Sequence, residues 1–346
     1  MNYKEILKHN NKMISKCDLL DNMNTFNINK NEIYNKITEF KIDKYYYNKN
    51  RIIKDKTIYK ILLNRNINNI DDNIKKGIVS KKSNLRILPT KISFYNKKKD
   101  KIFDRLQETV LNIGTTLYIL NTSLDKKWYF VKSYFAYGWI NKNDFIFVDN
   151  NKFNYFENTD NFIIVTKPLI KIKGLYFEMG TKLPYIKNNI NKTKILLPNS
   201  KCIWIPNKYL SLGYIDYTYD NLIKLTNKYI DFKYGWGGLN NGIDCTSLVC
   251  NIFKCFGFTF PRNTKEQRKI VGTKTFSFHN LNKNDKIELL KNFGLLYTKD
   301  HCLIYIGNNE VIHAYSENKK VIKSNLDNTN GKDLYNDLIY YNIFRR

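Results

Sequence analysis

The chain has 346 residues, 42% of them hydrophobic and 15% aromatic, which is room for roughly two to four domains and excludes a disordered protein. Its 58 Lys and Arg against 31 Asp and Glu give a formal net charge of +27, a balance that favours polyanionic surroundings. The basic residues are spread along the chain, and abundant Lys, Asn, Ile and Tyr beside two alanines, Ala136 and Ala314, read first as the mark of an AT-rich genome. Six cysteines without a CxxC pair exclude zinc-ribbon and disulfide-stapled scaffolds.

In chain order, residues 1 to about 75 are rich in Asn, Lys and Ile with short helical patterns, such as Ile33, Ile37 and Phe40, and predict a mostly helical N-terminal segment. Lysines at 4, 8, 12 and 16 with no apolar run make Met1–Leu20 unlike a signal peptide. Nothing approaches the length of a membrane span. The expected chain is soluble, cytoplasmic as written or in the cell envelope if a leader has been removed, and a monomer. From about residue 80 short β-rich runs follow: Leu85–Thr90, Thr116–Leu120, Lys127–Lys132 and Tyr137–Ile140, separated by turn formers. They predict a small barrel over 79–150. A poorer set (Phe162–Val165, Lys182–Ile186, Ile195–Leu197, Cys202–Ile205) predicts a second over 151–208. The last unit, 209–346, begins with a helical pattern at Tyr219–Tyr229. A second helix over Cys245–Phe256 is stopped by Gly257, and strands at Cys302–Ile306, Val311–Tyr315 and Lys320–Ser324 follow. Helices first and then an antiparallel sheet make an α+β fold.

The chemistry concentrates in this last unit. A Gly-rich run, Tyr234-Gly-Trp-Gly-Gly-Leu-Asn-Asn-Gly-Ile-Asp-Cys245, delivers one thiol to the first turn of a helix, where unpaired N–H groups favour the thiolate. Read alone, Cys245 is equally well a structural cysteine. The run has neither GxxxxGK[ST] nor GxGxxG spacing, so a phosphate cradle is disfavoured. Cys250 and Cys255, on the same helix, point elsewhere and read as small buried hydrophobes. Of four histidines, His301 and His313 fall on consecutive predicted strands, where His313 can fix the tautomer of His301; His9 and His279 fit no such pattern. Nucleophile, base and orienter are the reading of Cys245, His301 and His313.

Tyr234-x-Trp-Gly-Gly, Gly-Ile-Asp-Cys-Thr-Ser-Leu-Val, Phe260-Pro-Arg-Asn-Thr264, His301-Cys-Leu-Ile-Tyr-Ile-Gly307 and Val311-Ile-His313-Ala resemble the bacterial NlpC family of papain-like cell-wall cysteine peptidases, over about 210–346. Asp125-Lys-Lys-Trp-Tyr-Phe-Val-Lys-Ser and Tyr137-Gly-Trp-Ile resemble the first of two SH3-like barrels in a multidomain branch that also has an N-terminal clip. The resemblance implies a papain-like domain and hydrolysis of the γ-D-glutamyl–diamino-acid bond of peptidoglycan stem peptides or muropeptides, without metal or cofactor. It further implies that Tyr234 and the Cys245 N–H lie at the oxyanion side, and that Asp244 meets the free amine of L-Ala. Thr246, Arg262 and Thr264 would face the D-Glu carboxylate, and Tyr137 would cap the pocket from the first barrel. Thr246 stands where the family usually has Ser, and Gly294-Leu-Leu-Tyr297 where it commonly has Gly-Asp-Leu.

On the residues alone, Asp244 also reads as a helix cap, Arg262 as an exposed structural charge, and Trp128, Trp139 and Trp236 as core. The rival functions are an amidase or acyltransferase with the same triad, a non-catalytic wall-binding SH3 protein, and charge-driven nucleic-acid binding without sequence specificity.

Overall fold

A computed structural model describes residues 1–344 apart from 72 and 292. The N-terminal helix Tyr3–Ile14 starts at a reciprocal cap between Asn2 and Glu5, and Lys30–Thr38 repeats the device with Asn29 and Glu32. The first helix buries Ile6, His9, Asn10 and Met13. His9 Nε2 lies 2.7 Å from the Val271 carbonyl, and Asn10 Nδ2 donates to the Gly257 carbonyl at 2.8 Å. The segment is thereby fastened to the C-terminal unit 250 or so residues away in sequence, and His9, incidental in sequence, is a structural anchor. A short hairpin, Tyr47–Asn48 with Arg51–Ile52, and a helix, Asp55–Leu63, complete it.

The first barrel is a seven-stranded antiparallel sheet in the order Gln107–Leu111, Ser83–Arg86, Ala136–Asn141, Trp128–Ser133, Thr116–Thr122, Lys75–Val79, Phe145–Val148. Lys75–Val79, read as the end of the helical segment, is a strand. Gly77, Ile78 and Val79 are buried between two neighbours, and by its pairing the strand crosses the division placed at 78/79. Ser83–Arg86 meets Ala136–Asn141 at a single pair, Arg86 with Trp139. Gly138 is needed there, because a Cβ would lie 2.8 Å from the Arg86 carbonyl and 2.7 Å from Leu85 Cγ. Trp139 is fully buried, as read from sequence.

The helix Asn150–Asn158 leads into a second five-stranded sheet, Cys202–Pro206, Lys192–Leu196, Lys182–Asn188, Phe162–Val165, Leu210–Leu212, with a separate hairpin at Leu169–Ile172 and Leu175–Glu178. In the last unit, a six-stranded antiparallel sheet runs Lys274–Ser277, Tyr340–Ile343, Gly294–Tyr297, Cys302–Gly307, Glu310–Tyr315, Lys320–Asn325. The helix Cys245–Lys254 packs on its central strands through Leu248, Val249, Ile252 and Phe253. It stops as the glycine predicts. Gly257 sits at φ +90°, with Phe258 N bonded to the Phe253 carbonyl (3.2 Å) and Gly257 N to Lys254 (3.1 Å). One apolar core joins Ile6 and Met13, Leu85 and Leu111, Phe162 and Ile164, and this helix. Among the described residues no helix is long and apolar enough to cross a membrane.

Candidate active site

The glycine run is a loop pressed against the first barrel. Gly237 and Gly238 have φ of 56° and 80°, in the left-handed region, and Cβ atoms there would come within 2.5 Å of Gln107 Cγ and 2.7 Å of Val110 Cγ2. Only glycine allows that approach. Gln107 Nε2 then donates to the Gly237 carbonyl at 2.9 Å, and Trp236 Nε1 to the Asp104 carbonyl at 3.0 Å. Trp236, read as core, is half-buried with its ring on the cleft.

Asp244 caps the helix that follows, accepting from Ser247 N at 2.8 Å. It also accepts from Gly237 N (2.9 Å), from Thr246 Oγ1 (3.3 Å) and from Arg262 Nη2 (2.6 Å). A carboxylate has about four lone-pair sites, and all are taken, so Asp244 does not offer a free carboxylate to a substrate amine. That expectation is corrected: burial is the largest single influence and raises its carboxyl, but the charge and hydrogen bond of Arg262 and the hydrogen bonds of Ser247 together hold it below the ordinary range. Arg262 itself is buried, with Nη1 on Thr246 Oγ1 at 2.5 Å and Nε on Thr109 Oγ1 at 2.8 Å.

Cys245 opens the helix, half-buried at the floor of a cleft of about 630 Å³. Its thiol is held well below the ordinary range, first by a hydrogen bond from the Cys302 thiol and then by the charge and hydrogen bond of His301, against the opposing effect of burial. Burial first, and then its interaction with Cys245, push the Cys302 thiol well up.

The histidines form a chain whose proton positions follow from its far end. Thr329 Oγ1 donates to the Asn325 carbonyl (2.8 Å), so it accepts from Ser324 Oγ (2.8 Å). Ser324 Oγ in turn accepts from His313 Nε2 at 3.2 Å. His313 Nδ1 is therefore bare and accepts from His301 Nε2 at 2.8 Å, which leaves His301 Nδ1 to face the thiol. Burial, then the neighbouring His301 charge, keep His313 well below the usual imidazole range and uncharged. Ser324 and Thr329 were missed in sequence. The signal available was strand alternation: His313 pairs with Ile322, so Ser324 lies two residues along on the same face. His301 is set just before its strand by a turn in which Thr298 N bonds the His301 carbonyl (2.9 Å) and His301 N bonds Thr298 Oγ1 (3.1 Å).

Tyr234, Asp244, Thr246, Arg262 and Thr264 line the same cleft as Cys245 and His301. Burial raises the Tyr234 phenol, which stays protonated and able to donate. Tyr137 is elsewhere: it stacks on Phe130 at 6.2 Å and lies under Lys132 Nζ at 4.5 Å, in the cluster shared with the N-terminal segment. Alternation along Ala136–Asn141 sends it to that side, and the barrel wall of the cleft comes instead from Phe103, Arg105 and Glu108. Glu108 faces Arg262 across the cleft lining, and burial raises its carboxyl. Among the described residues no three His, Cys, Asp or Glu side chains are placed to hold a metal ion.

A thiol on a helix N-terminus, set against an antiparallel sheet that carries its imidazoles, is the papain-like arrangement, here behind an SH3-like barrel. Residues 231–338 match the NlpC/P60 family and residues 93–141 the SH3 domain of SH3b1 type. The chain thus carries an NlpC/P60 domain and an SH3b1-type domain. An NlpC/P60 endopeptidase from Photobacterium damselae subsp. piscicida has the same fold at 20% identity and a TM-score of 0.71, over 98% of this chain and 86% of that one. In sequence, the γ-D-glutamyl-L-lysine dipeptidyl-peptidase of Bacillus cereus is 29% identical over 167 residues, 44% of this chain and 49% of the relative. The murein DD-endopeptidase MepS/murein LD-carboxypeptidase of Escherichia coli K12 is 35% identical over 119 residues, 33% of this chain and 60% of the relative. The chain thus spans about half the length of these curated relatives.

Proposed function

We propose that the chain is a cysteine endopeptidase that hydrolyses the γ-D-glutamyl–diamino-acid bond of peptidoglycan stem peptides with a free N-terminal L-Ala. The Cys245 thiolate attacks the γ-glutamyl carbonyl, and the developing oxyanion is met by the Cys245 N–H and the Tyr234 phenol. His301 Nδ1 gives its proton to the departing amine and then takes one from the water that releases the acyl-enzyme. His313, kept neutral, holds the His301 ring. Arg262, Thr246 and Thr264 face the D-Glu carboxylate.

The observation that carries this reading is the proton-ordered chain from Thr329 through Ser324 and His313 to His301, which lines one open cleft with Cys245. The free-amine requirement rests on Glu108, a carboxyl of the barrel wall that lines the cleft beside Arg262 and takes the role in place of Asp244. Mass spectrometry of digests of defined muropeptides tests both. Release of L-Ala-D-Glu from free peptides supports the reading. Cleavage at another bond, or transfer to an added amine in place of water, replaces it with the amidase or acyltransferase alternative.

A further inference from the structure

The second sheet carries a hairpin, Lys182–Asn188 with Lys192–Leu196, that the catalytic reading does not use. Between Glu178 and Asp216 the chain has Lys182, Lys187, Lys192, Lys194, Lys201 and Lys208 and no Asp or Glu. Lysine is no denser there than elsewhere; what is missing is acid. Strand pairing then gathers the charge. Lys187 stands directly opposite Lys194, and Lys194 opposite Trp204, so two ammonium groups and an indole form one row across three strands. Thr193, Ile195, Ile203 and Ile205 are buried, and alternation turns the row away from them. Lys192 Nζ lies 5.1 Å from the centre of the same indole. Like charges facing each other across a ladder destabilise a sheet, and an anion laid on that face relieves them.

The tip of the hairpin is apolar and fixed. Ile190 is 95% exposed and Ile186 54%. Asn207 Nδ2 donates to the carbonyls of Asn189 (2.7 Å) and Ile190 (3.1 Å), and Asn207 N to that of Asn191 (2.9 Å). A pinned turn thus holds an isoleucine out in water, where burying it elsewhere is favourable. A dissolved polyanion satisfies the lysines and gives Ile190 nothing. A lipid surface satisfies both, with phosphates outside and hydrocarbon behind them, and an indole such as Trp204 suits the boundary between the two.

We propose that this hairpin docks on an anionic lipid surface, with Lys187, Lys192 and Lys194 at the headgroup phosphates and Ile190 passing between the headgroups to the acyl boundary. Attachment is peripheral, and the charge and the apolar tip add to each other. None of these residues lines the cleft of Cys245, so the proposal rests neither on the peptidase reading nor on the bond cleaved.

The full chain is sedimented at near-physiological salt with vesicles of equal parts phosphatidylglycerol and phosphatidylcholine, and with phosphatidylcholine alone. Wild type should pellet with the first and not with the second. Ile190→Ser leaves charge untouched in an exposed turn. It should weaken vesicle binding by roughly tenfold and leave binding to soluble polyphosphate unchanged. K187Q/K194Q should weaken vesicle binding by roughly thirtyfold, and K97Q/K99Q, the same loss of charge on an exposed segment of the first barrel, by less than about twofold. Phosphatidylcholine brominated on its acyl chains should quench tryptophan emission in wild type and not in Trp204→Phe. The proposal is overturned if wild type stays in the supernatant or if Ile190→Ser binds vesicles as wild type does. It is also overturned if K97Q/K99Q costs as much as K187Q/K194Q, which would make the attraction that of the chain's whole +27 charge. Polyphosphate binding without quenching by brominated lipid would give the lysines to a dissolved polyanion instead.

Discussion

Arg262 reaches from the peptidase unit to the first barrel, its Nε 2.8 Å from Thr109 Oγ1, while its Nη2 closes on Asp244, the cap of the nucleophile helix. Barrel, guanidinium and helix start are one connected object. Asp244→Asn leaves a buried guanidinium without its counter-charge and should cost about 3–5 kcal/mol of stability by denaturant melts. Thr109→Val removes one neutral acceptor and should cost about 1–3 kcal/mol. If Asp244→Asn melts like wild type, the ion pair is not holding the cap.

The same pair sets an acid limit. Asp244 is depressed in the fold, so its contribution is complete above the unfolded value of about pH 3.9 and is lost as pH falls through the lower folded value. His313, depressed by burial, acts earlier. Below about pH 6.5 the unfolded chain binds a proton there that the native state refuses, and stability falls. Stability curves against pH should therefore show two separate acid-side declines. His313→Gln should shrink the upper one, leaving the share of His9, which burial also depresses, and should leave the lower unchanged.

Turnover should vanish in Cys245→Ala without unfolding, and Cys245 should be the thiol alkylated fastest near neutral pH. First labelling at Cys202, which is also partly exposed, would move the nucleophile elsewhere.

His301→Ala removes both the base and the acid and should lower kcat by about a thousandfold. His313→Gln should be milder, because an amide still accepts from His301 Nε2. Ser324→Ala frees the far ring nitrogen and should cost about 1 kcal/mol in kcat/KM. A larger loss at His313 than at His301 would reverse their roles.

Acetylating the substrate amine should lower kcat/KM by roughly a hundredfold, since a charge pair loses one partner in a buried setting. Glu108→Gln should erase most of that discrimination, and Asp244 variants of equal stability should not. Equal rates on acetylated and free peptides would sink the pairing of the substrate amine with Glu108.

The thiol and the two imidazoles that the fold brings together were legible in sequence because the chemistry proposed for them restricts composition. A thiol after a Gly-rich approach, with two of four histidines on adjacent strands, leaves few arrangements. The supporting residues were not. Glu108 sits in Gln-Glu-Thr-Val-Leu, an ordinary strand run, and becomes special only when the glycine loop lands beside it. Tyr137 carries a recognisable motif, but its neighbours Gly138 and Trp139 serve the junction with Ser83–Arg86, and the side its own ring takes is set by an alternation that the motif does not express. Lys75–Val79 lies where a helical texture gives way to strand, and its pairing partners are some forty and seventy residues downstream.

The glycine loop against Gln107–Leu111 has an evolutionary consequence. A barrel hung on a flexible tether can be exchanged for another without touching the chemistry. Here Gln107, Thr109, Gly237 and Arg262 are interlocked across the seam, so a change on either side alters the shape of the substrate's berth. The two units must vary in concert, and transplanting the barrel from a relative would reshape the cleft that holds Cys245.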